Sequence, residues 1–127
     1  MTFKLSKRSL NNLVGVHPDL VLVTLRALEL SPVDFSVIDG VRTIEEQKRL
    51  YDSGASQTMK SRHLTGHAVD LVAWADGKMN WKAGLFFKIN AAFSIAAQEH
   101  KIMLEWGGDW ETFKDYGHWQ LSKKAYP

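Results

Sequence analysis

Segments with helical periodicity and segments with strand-like alternation follow one another along this chain in an irregular order. Pro18 suits the first turn of a helix, and an apolar face continues until Ser31 precedes a second proline, which predicts a helix over residues 18–30. The next segment, residues 33–38, alternates apolar and polar side chains and contains β-branched residues. This pattern predicts a half-buried strand that ends at the turn-like pair Asp39-Gly40.

A second helix and a second strand occupy the middle of the chain. Thr43 and Glu46 have the spacing of a capping box, and the residues behind them predict a helix over about 44–53. After a small, polar loop, residues 67–74 predict a strand that is closed by the turn at Asp76-Gly77. A polar loop therefore leads directly into an apolar strand.

The last third of the chain continues the mixture. Asn80 is a suitable N-cap for a long helix that ends near His100. Residues 102–106 and 117–121 predict two short strands with a glycine turn between them. Because helices and strands mix without regular βαβ alternation, we predict an α+β fold in which a small antiparallel sheet packs with about three helices.

The composition narrows the possible chemistry. The 127 residues include no cysteine, which excludes cysteine nucleophiles, cysteine-rich zinc ribbons and iron–sulfur clusters. Any metal must therefore be held by histidine and carboxylate side chains. A hydrophobic content of 45%, with no repeat and no linker-like stretch, predicts a single domain over residues 1–127.

Charge and hydropathy exclude two classes of partner. The formal net charge of +2 is too balanced for a dedicated nucleic-acid binder, and the small basic clusters are typical of ordinary surface. The longest apolar runs are too short to span a bilayer, so we expect no stable membrane insertion. The basic N-terminus lacks a following apolar region, and we therefore expect no secretory signal and synthesis into the cytosol.

Histidines and carboxylates cluster in two segments of the sequence. The first runs from Ser61 to Asp70 and contains His63 and His67, and the second is Asp115-Tyr-Gly-His-Trp119. His and Asp side chains are ordinary zinc ligands, so the clusters suggest a metal site. The four-residue spacing of the first two histidines is also that of helical zinc proteases. We reject that alternative, because Thr65-Gly66 is a poor helix former and leucine occupies the position of the required general base.

The pattern Ser-x-His-x-x-Gly-x-Ala-x-Asp, followed distally by Asp-x-x-His, resembles the zinc peptidases that cleave bacterial cell-wall peptides. These include D-Ala-D-Ala carboxypeptidases, the vancomycin-resistance dipeptidases and phage L-alanyl-D-glutamate endopeptidases. The resemblance extends from Gly40 to Trp119. It implies a fold like that of the hedgehog and D-Ala-D-Ala peptidase proteins, with peptidoglycan as the substrate.

The resemblance also assigns roles by position. It implies that His63, Asp70 and His118 bind Zn²⁺, that Asp115 is the catalytic carboxylate, and that Arg42 anchors the substrate or the transition state. Three protein ligands are typical of catalytic zinc, which keeps a fourth position for water. Independently, an unpaired carboxylate in the apolar strand around Asp70 would be costly, and metal ligation would explain it. The alternative role for Asp115 is that of a turn residue or a salt-bridge partner. The alternative role for Arg42 is an ordinary surface ion pair.

Three further residues are candidate substrate contacts, namely Ser61, His67 and Trp119. Ser61 either binds substrate or caps a turn. His67 falls on a variable position of the pattern, so it is a structural residue, a support for a ligand, or a substrate-lining residue. Trp119 belongs either to the core and the pocket wall or to a surface that stacks on sugar rings.

The resemblance is strongest to phage endolysins that cut between L-Ala and D-Glu, given the small size, the absence of an added wall-binding module and the aspartate at position 115. It implies a monomer that stays in the host cytoplasm until holin-made lesions release it to the periplasm and cell wall. One alternative is a D-Ala-D-Ala carboxypeptidase or dipeptidase of the same family. Another is a non-catalytic, zinc-stabilised wall-binding module, against which the intact Asp115 argues.

Overall fold

An antiparallel sheet and a pair of packed helices form the body of the protein in the computed structural model, which describes residues 3–127. Met1 and Thr2, which belong to the N-terminal segment for which no secretory signal is predicted, lie outside the described residues. Within them, the α-helices are α1 (Lys7–Asn12), α2 (Pro18–Leu30), α3 (Ile44–Asp52) and α4 (Ala83–His100), and two short 3₁₀ helices span Arg62–Thr65 and Gly107–Asp109. No helix in this part of the chain is long and apolar enough to cross a membrane.

The strands are β1 (Asp34–Asp39), β2 (Ala68–Ala75), β3 (Lys78–Asn80), β4 (Leu104–Trp106) and β5 (His118–Leu121). Four of them follow the order β1-β2-β5-β4, and β3 pairs with β2 through a hairpin. All the strand pairs are antiparallel. The predicted α+β class with a small antiparallel sheet is thus confirmed.

Most of these elements lie where local sequence features, such as helix caps and turn residues, predict them. Thr43 accepts a hydrogen bond from the backbone of Glu46, whose side chain accepts one in return from the backbone of Thr43, so the capping box at the start of α3 is present. The hairpin between β2 and β3 turns at Asp76 and Gly77, both of which have positive φ, as a type I′ turn requires.

The structure contains two elements that were not predicted, and one predicted helix begins later than expected. Helix α1 and strand β3 were not predicted, because both are short and take much of their stability from neighbouring elements. Helix α4 begins at Ala83 rather than directly after Asn80. Asn80 pairs with β2 instead, and its side chain accepts a hydrogen bond from the Lys82 backbone.

The core lies between the sheet and the helix pair α2–α4. Phe93 of α4 packs between two residues of the sheet, with its ring 5.9 Å from Phe35 and 4.7 Å from Trp119. Trp119 is fully buried, and its indole also stacks on Trp106 at 5.9 Å. These aromatic contacts anchor the centre of the sheet on its helix-covered face. The opposite face of β2 and β5 is left to carry polar side chains.

Candidate active site

A cleft of about 740 Å³ opens on that polar face. Its walls come from the loop before the first 3₁₀ helix and from the loop between β4 and β5. It contains six of the residues that the sequence patterns single out, which are Arg42, Ser61, His63, Asp70, Asp115 and His118. Residues from three separate segments of the chain thus meet in one concave site, which is typical of ligand-binding sites.

His63, Asp70 and His118 converge in this cleft, with one potential ligand atom from each within 4.8 Å of the others. His63 lies on the first 3₁₀ helix, whose Ser61 cap accepts a hydrogen bond from the His63 backbone. Asp70 and His118 are direct partners in the pairing of β2 with β5. This register brings together two side chains that are 48 positions apart.

The His63 ring has a defined orientation and a buried nitrogen without a partner. Its Nδ1 lies 2.7 Å from the carbonyl oxygen of Gly40 and donates a hydrogen bond to it. When the ring is neutral, Nε2 carries a lone pair. This atom is buried, has no hydrogen-bond partner among residues 3–127 and lies 3.2 Å from Oδ2 of Asp70. Two electron-pair donors facing each other in a buried site fit a bound cation between them.

His118 completes the donor set from the other side. Its Nδ1 lies 3.0 Å from Oδ1 of Asp70, and its Nε2 lies 2.8 Å from Oε1 of Gln120. Its ring meets that of His63 edge to face at 5.2 Å. Two imidazoles and one carboxylate form a donor set that catalytic metal ions commonly use. The residues present therefore fit a metal ion.

The charge states of the three groups are coupled. Burial alone would raise the pKa of Asp70, but the attraction of its carboxylate to the protonated forms of His118 and His63 outweighs burial and holds that pKa well below the ordinary aspartate range. Burial would lower the pKa of His118, but the hydrogen bond to Asp70 raises it overall. Asp70 is therefore ionised and available as a ligand at neutral pH.

Arg42 is part of this network. Its Nε contacts Asp39 at 2.5 Å, its Nη1 lies 3.0 Å from Oε1 of Gln47, and its Nη2 lies 2.9 Å from Oδ2 of Asp70. The alternative of an ordinary surface ion pair is excluded, because the side chain is only 13% exposed and forms three hydrogen bonds at the cleft. The contact of Arg42 with Asp39 is structural, whereas its contact with Asp70 orients a candidate metal ligand.

Gln47 is a site residue that sequence reasoning missed. It is fully buried, and its amide nitrogen donates to the Ser56 hydroxyl and to the Thr58 carbonyl at 2.8 and 2.6 Å. The side chain therefore joins Arg42 to the loop that forms one wall of the cleft. The sequence does contain a signal for Gln47, which is a polar residue at a predicted buried position of α3. A buried polar side chain requires hydrogen-bond partners.

Asp115 lies in the cleft wall, and glycine makes its placement possible. Its backbone N–H donates to the Gly107 carbonyl at 3.0 Å, and a Cβ built on Gly107 would fall 2.2 Å from the Asp115 carbonyl oxygen. A hydrogen bond from the His118 backbone to that carbonyl closes the turn at 3.2 Å. Burial and the negative charge of Asp70 raise the pKa of Asp115. A carboxylate with a raised pKa beside a candidate metal site is suited to proton transfer.

Two predicted substrate contacts lie elsewhere. Trp119 lies in the core, the first of the two alternatives predicted for it, because its fully buried side chain is on the face opposite the cleft. His67 does not line the cleft either. Its Nδ1 pairs with the Thr65 hydroxyl at 2.7 Å and its ring packs 5.5 Å from that of His17, and these contacts favour the structural alternative for this residue. Ser61 does line the cleft while capping the 3₁₀ helix.

The α+β fold and a cleft with this donor set define a candidate metallohydrolase. Comparison with known protein families identifies the family. The family model described as phage L-alanyl-D-glutamate peptidase matches residues 1–124 of this chain. The chain belongs to this family, which confirms the resemblance inferred from the two motifs.

Individual relatives agree with the assignment. The chain is 37% identical over 130 residues to the L-alanyl-D-glutamate peptidase of Escherichia phage T5, with 99% of this chain and 94% of that protein covered. It is 32% identical over 129 residues to the enzyme of the same name from Listeria phage A118, where 99% of this chain covers 45% of the relative. The crystal structure of the Serratia marcescens L-Ala D-Glu endopeptidase ChiX has a TM-score of 0.92 and 47% identity, covering 100% of this chain and 94% of that one.

Proposed function

We propose that this protein is a zinc-dependent peptidase that hydrolyses the L-alanyl-D-glutamate bond in the stem peptides of peptidoglycan. The observation that carries the proposal is the convergence of two imidazoles and a carboxylate beside Asp115 in the cleft of a member of this peptidase family. Relatives from two phages and a bacterium are named for the same bond.

His63, Asp70 and His118 would hold the zinc ion. Nitrogen and oxygen donors suit zinc, although a similar set also binds iron in some oxygenases, so metal analysis forms part of the test. When bound, zinc supplies Lewis-acid chemistry, which makes water a better nucleophile at neutral pH and polarises the scissile carbonyl. The orphaned Nε2 of His63 and the ionised Asp70 support this assignment.

Asp115 would transfer a proton from the attacking water to the leaving nitrogen. As a carboxylate it takes a proton from the attacking water while the new C–O bond forms at the alanyl carbonyl carbon. It then gives this proton to the departing nitrogen of the glutamate residue as the C–N bond breaks. The second hydrogen of the water leaves the new carboxyl group and ends on the amine, so at neutral pH the products are a carboxylate on L-Ala and an ammonium group on D-Glu. The raised pKa of Asp115 supports the first step, because it makes the carboxylate a stronger base than an ordinary aspartate.

Arg42 and Ser61 would bind the substrate from the two sides of the site. A guanidinium has five N–H groups, and three of those on Arg42 are used by Asp39, Gln47 and Asp70. The remaining two are the donors that we assign to the substrate carbonyl oxygen. The Ser61 oxygen accepts from the His63 backbone, which leaves its O–H to donate into the cleft.

The charge of the cleft fits a glutamate-containing peptide. A glutamate residue within a peptide keeps one free carboxylate, so the group next to the scissile bond is anionic. Besides Arg42 and the half-buried Arg62, three lysines line the cleft, namely Lys60, Lys114 and Lys123. Together these cations outnumber the acidic lining residues, which favours an anionic substrate.

We further propose that residues 1–127 act as one catalytic domain and as a monomer. A phage role in host lysis would keep the enzyme in the host cytoplasm until holin-made lesions release it to the cell wall. The named phage relatives support this placement. Gel filtration and fractionation of an infected or expressing host test the oligomeric state and the location separately.

Digestion of purified peptidoglycan by the zinc-loaded protein tests the bond assignment. Mass spectrometry should find new N-terminal D-Glu on the stem peptides. Release of D-Ala instead would overturn the proposal in favour of a D-Ala-D-Ala carboxypeptidase or dipeptidase. Zinc-dependent stability without any product would identify a binding module, and stoichiometric iron without zinc would contradict the metal assignment.

Asp115→Asn isolates the proton-transfer step. It should reduce kcat by roughly 10²–10⁴-fold, because the amide has no basic oxygen, while zinc affinity stays within a few-fold of the wild type. Asp76→Asn is the matched control, since Asp76 lies in the β2–β3 turn outside the cleft and asparagine tolerates positive φ. Full activity of the Asp115 variant would remove the residue from the mechanism.

A further inference from the structure

The two ring nitrogens of His118 face two different acceptors. Nδ1 is directed at Asp70, and Nε2 is directed at Oε1 of Gln120 at 2.8 Å. A neutral imidazole has one N–H and one lone pair, and its neighbours decide which nitrogen carries the hydrogen. Nδ1 is the atom beside the other candidate ligands, so in a metal-bound site the hydrogen belongs on Nε2.

Gln120 is held in a fixed place relative to His118. Both residues lie on β5 two positions apart, so their side chains share one face of the strand. The strand is hydrogen-bonded on both sides, with Gln120 opposite Ala68 on β2 and opposite Glu105 on β4. The Gln120 side chain lines the cleft although the residue is only 5% exposed. The acceptor oxygen of Gln120 is therefore already held beside His118 by the fold.

The other histidine of the site shows the same arrangement with a different acceptor. His63 donates Nδ1–H to the Gly40 carbonyl at 2.7 Å, which leaves Nε2 as the lone pair facing Asp70. A backbone carbonyl is present whatever the side chain. For His118 the corresponding acceptor is a side chain, so this half of the site depends on the residue at position 120.

We propose that Gln120 is a positioning residue that selects the Nε2–H form of His118 and so presents the Nδ1 lone pair to the metal. Supporting groups of this kind orient metal-binding histidines and raise metal affinity, typically by 10–100-fold. The inference rests on the proposed metal site. It goes beyond that proposal in naming a residue that neither sequence motif includes.

Three variants of the full chain test the role. Gln120→Met keeps the length of the side chain but removes the acceptor, and it should weaken zinc binding about 10–100-fold in a chelator competition with zinc sulfate. Gln120→Glu keeps an acceptor at the same position and should stay within about threefold of wild type or bind more tightly. Gln98→Met is the matched control, because Gln98 lies on α4 away from the cleft.

Nitrogen NMR of zinc-loaded wild-type protein provides a readout that needs no variant. His118 should show N–H at Nε2 and a ligated Nδ1. A proton found on Nδ1 overturns the inference, as does wild-type zinc affinity in Gln120→Met or an equal loss in Gln120→Glu. If the wild type binds no zinc at all, the proposed function fails instead. If zinc binds normally but these readouts do not respond to residue 120, only the role of Gln120 is wrong.

Discussion

Nε2 of His63 and Oδ2 of Asp70 lie 3.2 Å apart, and the hydrogen bond from Nδ1 of His63 to Gly40 leaves electron pairs on both facing atoms. A buried pair of this kind is unfavourable by itself and becomes favourable around a cation. A metal ion bound at this site would therefore stabilise the fold, because the unfolded chain does not hold the three donors together.

Zinc at a hundred times its dissociation constant should raise the free energy of unfolding by about 2.7 kcal/mol. For a chain of this size, the midpoint of thermal unfolding should rise by roughly 10 °C. A chelator should reverse the shift, and His118→Ala should abolish it. His100→Ala is the control, because His100 lies in the last turn of α4 outside the cleft. An unchanged midpoint with and without zinc would contradict the assignment of the triad.

Gly107→Ala should displace Asp115 without changing any side chain of the site. The new methyl group would fall 2.2 Å from the Asp115 carbonyl oxygen, so the loop must move. A displacement of about 1 Å is enough to lower kcat by roughly 100-fold, whereas zinc affinity should change little. Gly84→Ala provides the comparison, because no neighbouring atom lies within 4 Å of a Cβ there. Equal activity of the two variants would show that the close approach does not position Asp115.

Trp119→Ala should destabilise the fold by about 3–5 kcal/mol, because it removes a fully buried indole that packs on Phe93 and Trp106. Trp81→Ala should cost less than about 1 kcal/mol, since Trp81 is 60% exposed. Denaturant unfolding measures both. The milder Trp119→Phe variant should keep the wild-type KM. A raised KM with unchanged stability would restore Trp119 as a substrate contact.

His67 should make stability depend on pH. Its pKa is lowered by burial and by the positive charges of Arg62 and His17. Below about pH 6.5 the unfolded chain therefore binds a proton that the folded protein resists, and the free energy of unfolding falls as the pH decreases toward the lower folded pKa. Above this range the penalty is absent. His67→Gln should flatten this part of the profile, measured by chemical unfolding at a series of pH values, whereas an unchanged slope would assign the effect to other groups.

Local patterns in the sequence determined much of the secondary structure and the candidate ligands. The capping box at Thr43 predicted α3, and the apolar run around Asp70 predicted β2. These signals are readable because capping and burial periodicity involve residues that are close in sequence. The paired motifs also identified His63 and His118 as members of one site, through resemblance to a family.

The tertiary structure decided what each side chain faces. The register of β2 with β5 places Asp70 opposite His118 and turns Gln120 into the cleft and Trp119 into the core. Alternation along β5 already implied that Trp119 points away from its two neighbours, but not which face was covered by helices. That depends on contacts with Phe93, 26 positions earlier in the sequence. Pairing and packing over such separations depend on the whole fold, and no local pattern specifies them.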